Sequence, residues 1–224
     1  MTERKDTVMK NMPRILLAAL LALTLCISAF PALAETAEDT DTLLYYEEMG
    51  VYVKIPPEIM YVTRKSPETD TMFSLLASAG VSYDEFQKYM TENQMYLYGI
   101  MLTDFSSEFS LVIDTLSTPV NLTGAADVLM QVYQGQAKKV LEDLGAEVKD
   151  SGIYRGELYD GLWFHYILDF GDSVQYVIQY SIISGTRTVN LRVYGFDGGF
   201  NPENEEILKK VFDSVLVVPQ EDET

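Results

Sequence analysis

The chain has 224 residues, 47% hydrophobic and 22% charged, ordinary globular proportions that exclude wholesale disorder, collagen and coiled coil. Its 34 acidic residues against 16 basic ones give a formal charge of −18. That balance disfavours nucleic acid and anionic lipid as partners, because both are held by Lys and Arg.

Arg4, Lys5, Lys10 and Arg14 precede an apolar run from Ile15 to Phe30, which Pro31 breaks before Ala32-Leu33-Ala34. Small residues at the two positions a signal peptidase reads complete a secretory signal, so residues 1–34 are expected to be cleaved before Glu35. Sixteen mostly apolar residues fall short of the roughly 20 that span hydrocarbon, which argues against a stable membrane anchor. Cys26, the only cysteine, lies inside the run behind Leu25 and not behind a small residue, so lipid attachment is not expected. Cleavage leaves 12 basic and 32 acidic residues, a charge of −20, and no cysteine. The mature chain therefore has no disulfide, thiolate metal site or cysteine nucleophile, and its core must hold it together.

Residues 35–42 are polar and acidic and read as a flexible leader. Leu43–Tyr46 and Val51–Ile55 are expected as strands around Gly50, with Pro56-Pro57 as a stop and a third strand at 60–64. A short helix at 71–79 ends at Gly80. Ser82-Tyr83-Asp84-Glu85 is a capping box that opens a helix running to about Asn93 with Phe86, Tyr89 and Met90 on one face. Strands follow at 95–102 and 109–116. The longest helix is expected from Thr123 to Leu144, its apolar stripe formed by Ala126, Leu129, Met130, Tyr133, Ala137, Val140, Leu141 and Leu144. Four strands at about 153–159, 162–169, 174–183 and 186–195 form a meander turning at Asp160-Gly161, Gly171-Asp172 and Ser184-Gly185. Asn201-Pro202 opens a last helix that buries Ile207, Leu208, Val211, Phe212 and Val215. Pro219 ends the order, and residues 220–224 read as an acidic tail. Adjacent strands with separate amphipathic helices imply one α+β sandwich over 43–219: a mainly antiparallel sheet under a long helix and a C-terminal helix.

The motifs of several enzyme classes are missing: no G-x-S-x-G elbow, phosphate-binding glycine loop, H-E-x-x-H or C-x-x-C is present. Asp169-Phe170-Gly171 spells the kinase triplet without the other kinase elements. A single histidine supplies no multi-His metal centre. Asp197, Asn201, Glu203 and Asn204 gather oxygens near a Gly-Gly turn, but their spacing is not that of a helix-loop-helix calcium loop, and turn plus helix cap explains them. No cofactor and no metal are expected.

One face of the meander is the candidate binding surface. With Ser184-Gly185 as a two-residue turn and a three-residue loop at 171–173, Tyr166, Ile178 and Leu191 share an apolar face under the long helix. Trp163, His165, Gln179, Ser181, Asn190, Arg192 and Tyr194 share the other face, where aromatics beside amide and guanidinium donors suit a sugar, a peptide or a partner surface. The same residues also fit a solvated sheet face, or one covered by another helix.

The Gly50-to-Pro56 opening, the 82–93 helix, the long helix, the four-strand meander and a terminal helix ending Val211-Phe212-Asp213-Ser214-Val215 together resemble the PsbP-like family of α/β/α sandwiches. The resemblance, one of element order over residues 43–218, implies a docking or accessory domain without catalysis and carries over no site residue. The expected function is an exported, non-enzymatic accessory or binding module of the bacterial cell envelope. Its partner is expected to be a protein, a wall component or a small ligand. The alternative is a secreted hydrolase using a pair of carboxylates, which needs two acids roughly 5 to 10 Å apart.

Overall fold

A computed structural model describes residues 40–218 except 79, 172, 197 and 198. The expected signal with Cys26, most of the acidic leader, the 220–224 tail and Asp197 lie outside the described residues. Strand β1 (Thr42–Tyr46) pairs antiparallel with β2 (Val51–Ile55) around a 3-10 turn at Glu47–Met49, and β10 (Leu216–Val217) completes this small sheet on the other side of β2. The second sheet has seven antiparallel strands. It comprises β3 (Ile59–Thr63), β4 (Met95–Met101), β5 (Glu108–Thr115), β6 (Ala146–Arg155), β7 (Asp160–Asp169), β8 (Val174–Ser184) and β9 (Arg187–Gly195), in the spatial order β3-β4-β5-β9-β8-β7-β6.

Among the described residues four α-helices cover this sheet: α1 (Thr71–Ser78), α2 (Tyr83–Glu92), α3 (Asp127–Asp143) and α4 (Pro202–Ser214). Helix α2 starts where the sequence says it should. The Ser82 hydroxyl accepts from the Glu85 amide and the Glu85 carboxylate accepts from the Ser82 amide, each satisfying an orphan donor of the first turn. Helix α4 is capped by Asn201, whose side chain accepts from the Glu203 amide, and all five residues of its expected apolar stripe are buried. The chain is thus an α+β sandwich. On one face of the large sheet α1 and α2 seal a core with Val62, Tyr98, Ile100 and Val112, while α3 packs over Leu162, Phe164, Tyr166 and Val177. On the opposite face α4 and the small sheet enclose Leu97, Leu111, Ile178, Tyr180, Leu191 and Val193.

Three expectations need correction. The strand after the long helix begins at Ala146, directly behind Gly145. The hairpin turn lies at 156–159, where the Gly156 amide donates to Tyr159 O, and not at Asp160-Gly161. Helix α3 begins at Asp127, and its stripe is only half used: Met130 is buried and Tyr133, Ala137 and Leu141 are partly so, whereas Leu129, Val140 and Leu144 are exposed. A helix laid mainly along the edge strand β6 meets a surface too narrow to cover its whole apolar arc.

The third correction concerns register. Strands β8 and β9 turn at Gly185-Thr186, pairing Tyr180 with Leu191 and Gln179 with Arg192, a slip of two that leaves the faces intact. Strands β7 and β8 are joined by four residues, 170–173, closed by the Phe170 amide donating to Ser173 O. His165 therefore pairs with Ile178, and Tyr166 with Val177. An odd slip reverses which side chains of β8 and β9 share a face with those of β7. Tyr166 lies under α3 as expected, but Ile178 and Leu191 lie on the α4 face, together with Trp163 and His165.

Candidate functional site

The seven nominated residues are divided by this register. Gln179, Ser181, Asn190, Arg192 and Tyr194 stay together on the face that carries α1–α3, whereas Trp163 and His165 stand on the other.

Four of the five form a hydrogen-bonded ladder across β8 and β9, while Tyr194 Oη accepts from Ser110 Oγ at 3.4 Å. Tyr166 Oη donates to Gln179 Oε1 at 3.2 Å and Arg192 Nε donates to the same oxygen at 2.8 Å. Gln179 Nε2 donates to Ser181 Oγ at 2.9 Å. Ser181 Oγ donates to Asn190 Oδ1 at 2.8 Å, and Asn190 Nδ2 reaches Asp114 Oδ2 at 3.3 Å. Burial pushes the Asp114 carboxyl up, and the nearby Arg192 guanidinium partly offsets it. Gln179, Ser181 and Asn190 are buried, and Arg192 and Tyr194 partly so. A buried amide without partners is costly, so this mutual satisfaction lets polar residues lie beneath two helical covers.

Glu108, also on this face, is only 2% exposed. Burial pushes its carboxyl up to about 8, opposed by the Tyr98 hydroxyl, and its Oε1 has no hydrogen-bond partner among the described residues. Glu108 and Asp114 stand six residues apart along β5, about 20 Å at strand rise, beyond the spacing at which two carboxylates share a glycosidic bond.

On the opposite face Trp163 and Phe200, both partly buried, pack against the α4 core. Trp163 and His165 follow each other along β7, with ring centroids 5.0 Å apart. Gly152 on β6 makes room for the indole: a Cβ there would fall 2.6 Å from Trp163 Nε1. The His165 ring stacks on Phe200 at 4.6 Å and 23°, and Tyr176 meets Phe200 edge-on at 5.6 Å. Trp163, His165, Tyr176 and Phe200 are all partly exposed. Helix α4 borders this aromatic shelf and contributes Glu205, whose Oε1 accepts from Tyr180 Oη at 2.7 Å and lies 3.5 Å from Lys209 Nζ. Glu205 Oε2 faces His165 Nε2 at 3.4 Å without the alignment of a hydrogen bond, and the two side chains remain 17% and 19% exposed. The Glu205 carboxylate thus stands beside an imidazole that adjoins both Trp163 and Phe200.

Glu205, Phe200 and Tyr176 were not foreseen as site residues. Glu205 reads in the sequence as a helix-dipole residue and the i,i+4 partner of Lys209. Phe200 carried a usable signal: an apolar residue just before an N-cap characteristically packs, and here it packs on His165. Of the residues weighed as calcium ligands, Asn201 and Asn204 have side chains engaged otherwise. Asn201 and Asn204 donate to Asp104 Oδ2 at 3.1 and 2.7 Å, and Asn204 Oδ1 accepts from Thr103. Burial favours the neutral Asp104 carboxyl, but donors from Ser107, Ser106 and Asn204 outweigh it and hold the group below its usual range. This cluster ties the β4–β5 turn to the start of α4.

No family model and no curated protein matches the sequence. Among solved structures the chain is similar to cyanobacterial PsbP from Synechocystis sp. PCC 6803, at 11% identity and TM-score 0.48 over 82% of this chain and 95% of that one. It is also similar to a protein from Bacteroides thetaiotaomicron, at 6% identity and TM-score 0.45 over 82% of this chain and 50% of that one. A protein of unknown function from Pseudomonas aeruginosa shows 10% identity and TM-score 0.39 over 80% and 99%. Each likeness is one of fold.

Proposed function

We propose that the chain is an exported, non-enzymatic binding module of the bacterial cell envelope, and that it meets its ligand on the shelf of Trp163, His165, Tyr176 and Phe200. The observation that supports this reading is the contrast between the two faces. The amide–guanidinium ladder spends its hydrogen bonds on itself, whereas the shelf keeps aromatic area partly open beside Glu205 Oε2, which accepts no hydrogen bond from the described residues. Partly open aromatics with a few convergent polar atoms are the usual make-up of a recognition surface.

The test is capture from the native envelope with wild type, Trp163→Ala and, for the opposite face, Gln179→Ala. Loss of capture with Trp163→Ala alone supports the shelf, and equal recovery by all three chains sinks it. Export is tested separately: the chain recovered from the envelope or medium should begin at Glu35, and a mature form retaining residues 1–34 refutes the cleavage.

A further inference from the structure

The chemistry of the shelf narrows the ligand class. Its rings adjoin hydrogen-bonding groups, His165 and Glu205, so the strip is amphipathic, which suits a lipid chain poorly. The carboxylate is an acceptor only, so the ligand must bring a donor. Anionic ligands meet Glu205 and the large acidic excess of the whole chain. An extended peptide would add to the neighbouring free edge of β6, but a register shift at Val148/Asp150 interrupts that edge, and exposed Glu147, Lys149 and Asp150 charge it. What remains is a ligand with a flat, weakly apolar face and hydroxyl donors around its rim.

Resting on the shelf reading above, we propose that this surface binds an uncharged pyranose of a glycan, with the sugar's C–H face on the Trp163 indole and a hydroxyl donating to Glu205 Oε2. Glu205 is held for this role: Tyr180 Oη fixes Oε1 at 2.7 Å, and Oε2 stands 3.4 Å from His165 Nε2. Gly152 is the matching device on the sheet, since any side chain there would displace the indole.

The protein carries its own reporter, because Trp163 is its only tryptophan. Full-length chain is titrated with a soluble tetramer of N-acetylglucosamine, cellotetraose and oligogalacturonate, with emission and calorimetric heat read together. A saturable blue shift with a neutral tetramer, absent with the polyanion, is expected as the sugar takes water from the indole. Glu205→Ala should weaken binding at least about tenfold, the order for losing a hydrogen bond to a charged group. Gln179→Ala, on the other face, should match wild type.

Absence of saturable emission change and of heat with both neutral tetramers overturns the proposal on wild type alone, however the variants fold. So does equal or tighter binding of oligogalacturonate. If envelope capture then still depends on Trp163, only the ligand class was wrong. If it does not, the shelf itself fails.

Discussion

Replacing Glu108 by Gln should stabilise the protein, by an amount that depends on pH. The Glu108 carboxyl is 2% exposed on β5, lacks a partner at Oε1 among the described residues, and is held at about 8 in the folded chain against an ordinary 4.5. Between those values the unfolded chain releases the proton while the folded chain keeps it. The folded state therefore binds more protons, and stability falls as pH rises, by about 1.4 kcal/mol per unit. At pH 7 the accumulated cost is about 3 kcal/mol, a substantial fraction of the roughly 5–15 kcal/mol that keeps a domain folded. Gln keeps the size and the acceptor facing Tyr98 but does not titrate. Urea unfolding at pH 4, 5, 6, 7 and 8 should show wild type and Glu108→Gln with a nearly fixed offset near pH 4, then a gap in favour of Gln that widens until about pH 8 and levels off. A difference that stays constant from pH 4 to pH 8 would refute the reasoning, because it would mean that Glu108 ionises alike in both states.

Gly161→Ala should cost about 1–3 kcal/mol, read as a lowered melting temperature, since a Cβ would stand 2.5 Å from Ser181 O and 2.6 Å from Phe212 Cζ in a packed core. An unchanged melt would show that this junction yields more easily than its distances indicate. Gln179→Ala should lose about 1–3 kcal/mol by leaving Tyr166 Oη and Arg192 Nε without their shared acceptor. The double variant Gln179→Ala, Arg192→Ala should be less than additive, and strict additivity in chemical melts would show that the ladder is not one network. Asp104, held below 3.8, contributes stability that is full above pH 3.8 and lost as pH falls through its lowered value. Being partly solvated, it is worth no more than about 1 kcal/mol. Acid unfolding of Asp104→Asn should accordingly show a shallower fall below pH 4 than wild type, and identical acid limbs would contradict the assignment.

Local rules gave much of the fold directly. The Ser82–Glu85 capping box, the Asn201-Pro202 helix start and the period of Ile207, Leu208, Val211, Phe212 and Val215 depend on neighbours three or four residues away, and each formed as read. Hairpin chemistry placed the meander, and with it the antiparallel sheet. Whether Trp163 and His165 share a face with Gln179 and Arg192 was not legible, because it turns on one residue of loop length at 170–173. Both sides of β7 are largely apolar or aromatic, Leu162-Phe164-Tyr166 on one and Trp163-His165-Ile167 on the other, so alternation alone does not orient the strand.

The sequence by itself determined the acidic, single-tryptophan chain, its helix starts and its succession of strands, because those are set by composition and short-range hydrogen bonding. Only the tertiary structure decided which face of β7 meets α3 and which meets α4, how half of α3's apolar stripe came to be left uncovered, and that Glu108 is sealed beneath the helices. A strand facing two partners takes the register that buries most area across both layers at once, a sum over residues far apart in the chain.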